Sequence, residues 1–237
     1  MKPSLKKLII ASTSTVHGGK YLGYIKPTLA DFFKDTDEII FVPYARPGGI
    51  SHDEYTAIAQ KAFAEIGKKI TGLHTFDNPI EALETAKAVF TGGGNTFLLV
   101  SQLYKFEVMP FLRQRIFEGL AYFGTSAGAN ITGLTMQTTN DMPIIYPPSF
   151  KTLGAIPFNI NPHYLDPVPG NKHMGETRET RINEFHKINP QPVVGLREGS
   201  WLEVKGDRIF LRGELKARVF EQTKPAYEIE SGSELRF

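Results

Sequence analysis

Short apolar segments alternate with longer segments of helical periodicity through the first half of this 237-residue chain. Strands are predicted at residues 8–11, 38–43, 69–75, 88–91 and 120–123, and helices at 21–33, 53–66, 79–86, 96–104 and 110–118. Strands without a polar face are buried on both sides, which is typical of parallel sheets connected by right-handed crossovers. The pattern therefore predicts an α/β fold: a mostly parallel sheet with helices on both faces.

The pattern changes after about residue 190. Closely spaced strand-like runs follow at 193–196, 201–204, 208–211 and 217–220, with Gly206-Asp207 and Gly213-Glu214 at or near the turns. This spacing predicts C-terminal antiparallel hairpins that complete the same sheet. The sequence contains no internal repeat, low-complexity segment or linker, so one domain over residues 1–237 is expected.

A candidate nucleophile follows the last predicted strand of the first half. In Gly124-Thr125-Ser126-Ala127-Gly128, a glycine stands two residues away on each side of the serine, which is the pattern of a nucleophile elbow. A sharp strand-to-helix turn strains the serine backbone, and flanking side chains would collide with neighbouring strands. The following helix would direct free N–H groups at a developing oxyanion. A helix N-cap is the simpler alternative.

Three glycines, Gly92-Gly93-Gly94, end another predicted parallel strand. Ligand sites in such sheets lie beyond the carboxyl ends of the strands. We therefore expect the backbone of Gly93 and Gly94 to join the N–H of Ala127 in an oxyanion site. A plain turn or a phosphate-binding loop is the alternative, although Asn95-Thr96 lacks the lysine of a P-loop.

A serine nucleophile needs a base, and the chain has six histidines. His163 lies between prolines at 162 and 167, and such a loop can hold an imidazole rigidly. His52 and His74 are expected to be structural, and His186 is expected to face outward from an amphipathic segment. The alternative for His163 is a loop histidine without a role.

Composition excludes several other kinds of chemistry and partner. The chain has no cysteine, which excludes disulfides, thiolate metal sites and a cysteine nucleophile. Acids and bases are interspersed at a formal net charge of +2, and no basic cluster indicates nucleic-acid binding. No apolar segment approaches the roughly 18 residues needed to cross a membrane, and none fits a signal peptide. A soluble, cytoplasmic protein is expected.

Six motifs together resemble the peptidase E family of aspartyl dipeptidases. They lie in family order at residues 92–97, 124–130, 138–143, 160–163, 175–179 and 195–199. The resemblance implies a fold similar to the class I glutamine amidotransferase domain. It also implies a serine dipeptidase that needs no metal or cofactor and releases aspartate from Asp-X dipeptides. Two departures from the family pattern are Thr125, where Trp is frequent, and segment 46–49, which could alter the rim of the substrate pocket.

The resemblance assigns Ser126 as the nucleophile and His163 as the base. It leaves the third member open: Glu198 is the preferred partner of the imidazole, and Asp141 is the rival. Selectivity for aspartate calls for a cation. Arg178 is the best candidate, because a guanidinium can bind a carboxylate through two parallel hydrogen bonds. A surface arginine paired with helix neighbours is the alternative.

Two other functions compete with the dipeptidase. One is a cyanophycinase-like hydrolase of aspartyl-linked polymer, and the other is a non-catalytic binding domain of amidotransferase-like fold. His173 and Glu176 have the spacing of a metal pair, but no third ligand follows at suitable spacing. We therefore expect no metal, full activity in excess chelator and a small Asp-X peptide as partner; a homodimer is compatible with the sequence.

Overall fold

The structure is a computed structural model that describes residues 4–167, 170 and 175–237. Its strands are β1 (Lys7–Ala11), β2 (Glu38–Val42), β3 (Lys69–Gly72), β4 (Ala88–Thr91), β5 (Ala121–Thr125), β6 (Asn159–Pro162), β7 (Val193–Leu196), β8 (Trp201–Lys205), β9 (Arg208–Arg212), β10 (Ala217–Phe220), β11 (Tyr227–Ile229) and β12 (Glu234–Leu235). Its helices are α1 (Lys26–Phe32), α2 (His52–Ala64), α3 (Pro79–Thr85), α4 (Thr96–Lys105), α5 (Val108–Phe117), α6 (Ala127–Asn130) and α7 (Arg178–Phe185). Two short 3₁₀ turns lie at Gly23–Ile25 and Leu73–Thr75.

Within the described residues, the larger sheet has eight strands in the order β12-β9-β8-β1-β5-β4-β2-β3. The five strands from β1 to β3 in this order are parallel, and β8, β9 and β12 extend the sheet as antiparallel strands. Successive side chains of a strand point to opposite faces. Leu8 and Ile10 therefore pack with α3, α4 and α5, whereas Ile9 and Ala11 pack with α1 and α2. The predicted α/β fold with helices on both faces is confirmed.

The C-terminal strands do not all complete this sheet, which corrects the sequence-based expectation. The β8–β9 hairpin joins the large sheet as predicted. However, β7 and β10 pair with β6 and β11 in a second sheet, whose order is β11-β10-β7-β6. The reason is that β6, a segment without a strand pattern of its own, pairs in parallel with β7 from Asn159 to Pro162. Long-range pairing of this kind overrides local propensity.

Two side-chain orientations also differ from expectation. Helical periodicity over residues 53–66 puts Ile58, Ala62 and Ile66 on one face, yet Ile58 is 42% exposed, while Tyr55 and Phe63 are buried. His186 is buried instead of outward-facing, because it caps the C-terminus of α7 where the chain turns back toward β7. Its Nε2–H donates to the Gln191 carbonyl at 3.0 Å, and its own carbonyl accepts from Gln222 Nε2 at 2.7 Å.

Candidate active site

Ser126 sits at a sharp turn between β5 and α6. Its backbone has φ 53° and ψ −109°, which is strained for a residue with a side chain, and its N–H donates to the Ala11 carbonyl at 3.1 Å. The flanking glycines are required by close packing. A Cβ on Gly124 would lie 2.3 Å from the Gly128 carbonyl oxygen, and a Cβ on Gly128 would lie 2.3 Å from the Thr91 carbonyl oxygen. The geometry of a nucleophile elbow is therefore present.

His163 follows β6 and brings its imidazole to the serine. The distance from His163 Nε2 to Ser126 Oγ is 2.9 Å. Its backbone also lies in the left-handed region, with φ 52°, and its N–H donates to Ser12 Oγ at 2.9 Å. Ser12 Oγ in turn donates to the Leu196 carbonyl at 2.6 Å. One hydroxyl at the end of β1 thus ties together the two loops that follow β6 and β7.

Glu198, in the loop after β7, binds the other side of the same ring. Its Oε1 lies 2.6 Å from His163 Nδ1. An ionised carboxylate can only accept hydrogen bonds, so Nδ1 carries the proton and Nε2 is left to accept from the Ser126 hydroxyl. The structure thus brings Ser126, His163 and Glu198 into one hydrogen-bonded series.

Asp141 makes different contacts, and it does not hydrogen-bond to His163. Its Oδ2 accepts hydrogen bonds from the Thr96 backbone N–H at 2.7 Å, from Thr96 Oγ1 at 2.6 Å and from Thr139 Oγ1 at 3.0 Å. The carboxylate therefore lies at the N-terminus of α4, where the helix dipole favours negative charge. Its Oδ1 accepts no hydrogen bond from the described residues. Of the two acids that the sequence proposes, Glu198 is the one in contact with the imidazole.

The three backbone groups expected to bind an oxyanion differ in availability. The Gly93 N–H already donates to the Tyr55 hydroxyl at 2.9 Å, which corrects its assignment as a free donor. Gly93 has a steric role instead, because a Cβ there would lie 2.9 Å from Ser126 Cβ. The N–H groups of Gly94 and Ala127 have no acceptor among the described residues. These two groups remain as candidate oxyanion donors.

Arg178 begins α7 directly after the N-cap residue Thr177, whose Oγ1 accepts from the Thr180 N–H at 3.0 Å. The side chain is half-buried, and within the described part of the chain it makes no hydrogen bond or ion pair. Burial lowers the pKa of its guanidinium, neighbouring Arg181 lowers it further, and Asp141 opposes both. Arg178 is therefore within electrostatic range of Asp141 and is not neutralised by a helix neighbour.

Arg197 is a residue of this site to which the sequence assigns no role. It immediately precedes Glu198, and its guanidinium forms paired hydrogen bonds with Asp166 at 2.7 and 2.8 Å and with Glu228 at 2.8 and 2.9 Å. Asp166 lies three residues after His163, so Arg197 joins the loops that carry the imidazole and its acidic partner. The signal in the sequence is the arginine beside the candidate acid in the motif at 195–199.

No group of three or more His, Cys, Asp or Glu side chains that could hold a metal ion occurs in residues 4–167, 170 and 175–237. His173 lies outside the described residues, so the structure does not describe its pairing with Glu176. Among the helices of the described segments, none combines the length and the apolar character that crossing a membrane requires.

Comparisons with known proteins agree on one family. The model of Peptidase family S51 matches residues 8–212. Peptidase E from Streptomyces coelicolor is 48% identical over 228 residues, covering 96% of this chain and 93% of that protein. A Drosophila melanogaster protein named probable alpha-aspartyl dipeptidase is 42% identical over 237 residues, covering 99% and 98%.

The crystal structure of a peptidase from an acI-B1 Actinobacterium has the same fold. It matches with a TM-score of 0.72 at 16% identity, covering 99% of this chain and 98% of that chain. The resemblance found in the sequence is confirmed by the family model and by both relatives: this chain belongs to peptidase family S51.

Proposed function

We propose that this chain is a serine dipeptidase that hydrolyses dipeptides with an N-terminal aspartate through an acyl-enzyme on Ser126. The observation that carries the proposal is the hydrogen-bonded series from Glu198 through His163 to Ser126. Family membership supports peptide hydrolysis, and the name of the Drosophila relative supports aspartate as the first residue.

The proposed reaction is two-step acyl transfer. Ser126 Oγ attacks the carbonyl carbon of the aspartyl residue while His163 Nε2 takes its proton. The N–H groups of Ala127 and Gly94 stabilise the oxyanion. His163 then protonates the departing amine as the peptide bond breaks. In the second step a water molecule gives a proton to His163 and attacks the acyl-enzyme. The ester bond to Ser126 Oγ breaks, Oγ takes the proton back, and aspartate is released. Glu198 holds the imidazole in the required tautomer and stabilises its charged form.

Selectivity is assigned to two charged groups that lie outside this hydrogen-bonded series. Arg178, without a partner among the described residues, would bind the aspartate side chain through two parallel hydrogen bonds. Asp141 has one carboxylate oxygen without a hydrogen bond from those residues, and that oxygen would accept the free ammonium of the substrate. Together the two groups recognise a residue that is both N-terminal and acidic.

A dipeptide panel tests the function. We expect Asp-Leu to be cleaved at least about 100-fold faster than Asn-Leu or Leu-Leu, because an unpaired Arg178 rejects neutral side chains. Faster cleavage of β-Asp-Arg than of Asp-Leu would favour the cyanophycinase-like alternative. Failure to cleave any of them, together with a serine-directed phosphonate that does not label Ser126, would favour a non-catalytic domain.

Three broader expectations belong to the same proposal. Residues 1–237 act as one domain, which limited proteolysis should leave uncut between the motifs. The reaction takes place in the cytoplasm, which cell fractionation tests. The peptide substrate is the expected partner, and sedimentation of the purified protein distinguishes a monomer from the homodimer that the sequence permits.

A further inference from the structure

A cavity of about 490 Å³ lies beyond the carboxyl ends of β2 and β3, at the same edge of the parallel sheet where Ser126 follows β5. Its lining combines polar side chains with apolar ones, among which are Tyr44, Leu98, Phe106, Ile144 and Ile145. The chain segment that contributes the two isoleucines begins next to Asp141, and Asn95 Nδ2 holds this segment by donating to the Met142 carbonyl at 2.9 Å. Asp141 and the lining of the cavity therefore belong to one continuous chain segment.

Arg46 is the cation of this cavity. Among the described residues that line it, no other lysine or arginine occurs. The guanidinium stacks over the ring of Tyr55, with 4.7 Å from its carbon to the ring centroid. Its Nε is buried without a hydrogen-bond acceptor, and Arg46 forms no ion pair within the described part of the chain. A guanidinium in this state has unused donors that match a carboxylate.

Direct contacts connect Arg46 to the serine. The Tyr55 hydroxyl accepts from the Gly93 N–H at 2.9 Å and donates to the Gly93 carbonyl at 3.2 Å. Gly93 in turn abuts Ser126 so closely that a Cβ would lie 3.4 Å from Ser126 Oγ. In a dipeptide, the terminal carboxylate is only one residue, at most about 3.6 Å of chain, beyond the scissile bond. Arg46 also directly follows Ala45, whose carbonyl accepts from the Asn95 N–H at 2.7 Å and abuts Gly94, one of the two candidate oxyanion donors. The cation is therefore carried by a loop that borders the candidate oxyanion site.

We propose that Arg46 binds the free C-terminal carboxylate of the substrate, and that the adjoining cavity accepts an apolar side chain of the second residue. The inference rests on the proposed dipeptidase function and deepens it, because it supplies a reason for cleaving dipeptides in preference to longer peptides. In a longer peptide, an uncharged peptide bond replaces the carboxylate at Arg46.

The other ionisable groups of the cavity are consistent with this assignment. Burial and the neighbouring His74 lower the pKa of His52, so His52 is neutral near pH 7 and does not compete for the carboxylate. Asp77 also lines the cavity and would repel an acidic second side chain. We therefore expect Asp-Leu and Asp-Phe to be better substrates than Asp-Asp.

The test compares Asp-Leu with Asp-Leu-amide, which lacks the terminal charge. We expect the wild type to have a kcat/KM at least about 30-fold higher on Asp-Leu, mainly through KM. Arg46→Met should lower kcat/KM on Asp-Leu by about the same factor and change it on the amide less than twofold, so that the two substrates become equivalent. Arg46→Lys, which keeps the charge without the planar fork, should fall between them.

Arg208→Met is the matched control, because Arg208 is an exposed arginine of β9 that pairs with Glu234 and lines no part of the cavity. It should leave the ratio between the two substrates at the wild-type value. Equal kcat/KM values on the two substrates in the wild type would overturn the inference while leaving the dipeptidase function intact, and this measurement requires no variant to fold. A ratio unchanged by Arg46→Met would overturn it equally. No cleavage of Asp-Leu by the wild type would refute the proposed function itself.

Discussion

The charged groups proposed to act at Ser126 form two sets, a proton-transfer side and a recognition side, which differ in how completely their charges are paired. On one side, His163 and Glu198 are hydrogen-bonded to each other, and Arg197 holds their loops through paired hydrogen bonds. On the other side, Arg178 and Arg46 have no ionic partner among the described residues. Burying an unpaired cation lowers the free energy of unfolding. A substrate carboxylate bound at these arginines would offset that loss. The proton-transfer side is complete before substrate binds, and the recognition side is completed by the substrate.

The largest expected effect comes from removing the hydroxyl that both sides serve. Ser126→Ala should lower kcat on Asp-Leu by about 10⁴-fold or more, because no other nucleophile is placed beside His163. The measurement is steady-state hydrolysis, with phosphonate labelling as the readout of the hydroxyl. Residual activity above about 1% of the wild type would contradict the assignment of Ser126.

Glu198→Gln and Asp141→Asn separate the proton-transfer side from the recognition side. Glu198→Gln should lower kcat by about 10²–10³-fold with little change in KM, since the amide no longer fixes the imidazole tautomer. Asp141→Asn should act mainly on KM, because its carboxylate lies at α4 and not at the ring. The reverse pattern, with Asp141→Asn the more damaging to kcat, would exchange the two roles.

Arg178→Lys tests the recognition side with its charge preserved. We expect kcat/KM on Asp-Leu to fall by about 10- to 100-fold, because an ammonium cannot form the two parallel hydrogen bonds. Cleavage of Asn-Leu should change little, which makes the Asp/Asn ratio the diagnostic measurement. Unchanged kinetics on Asp-Leu would remove Arg178 from substrate binding.

Arg197→Met should loosen the proton-transfer side without removing any reacting group, lowering kcat by about fivefold while KM stays the same.

The same variant should also alter the stability of the fold in acid. Hydrogen bonds from Arg197 hold the pKa of Asp166 below its ordinary value of 3.8, so this pair stabilises the fold above that pH and the stabilisation is lost as the pH falls below it. Urea unfolding at pH 5 and pH 3 should therefore show a smaller loss for the variant than for the wild type. Lys34→Met, which removes an exposed pair with Asp31, is the control.

The smallest expected effect is that of a chelator. Excess EDTA should leave kcat/KM on Asp-Leu unchanged, because the proposed reaction uses only side chains and backbone N–H groups. A loss of kcat/KM of more than twofold that a divalent cation restores would contradict this, because proton transfer would then depend on a metal ion.

Local pattern was enough to predict the large parallel sheet and the elbow at Ser126, and the family resemblance supplied the two candidate acids. The sequence could not decide between Glu198 and Asp141, because Glu198 meets His163 across 35 residues of chain and Asp141 meets Thr96 across 45. The sequence also could not show that the Gly93 N–H is already hydrogen-bonded. The Tyr55 hydroxyl that accepts from it belongs to a helix 38 residues earlier in the chain. The second sheet was missed for a related reason, since β6 becomes a strand only through its pairing with β7.

The nucleophile and its base belong to different sheets, Ser126 following β5 of the large one and His163 following β6 of the small one. The sheets share an apolar core, and the hydrogen bonds that join them include Ser12 Oγ to the Leu196 carbonyl and Asn130 Nδ2 to the Ile160 carbonyl. Partial opening between the sheets would separate the imidazole from the hydroxyl while each sheet kept its own backbone pairing. Under mild denaturant, turnover should thus disappear before circular dichroism changes. The enzymatic rate would then report the packing of the small sheet against the large one more sensitively than circular dichroism does.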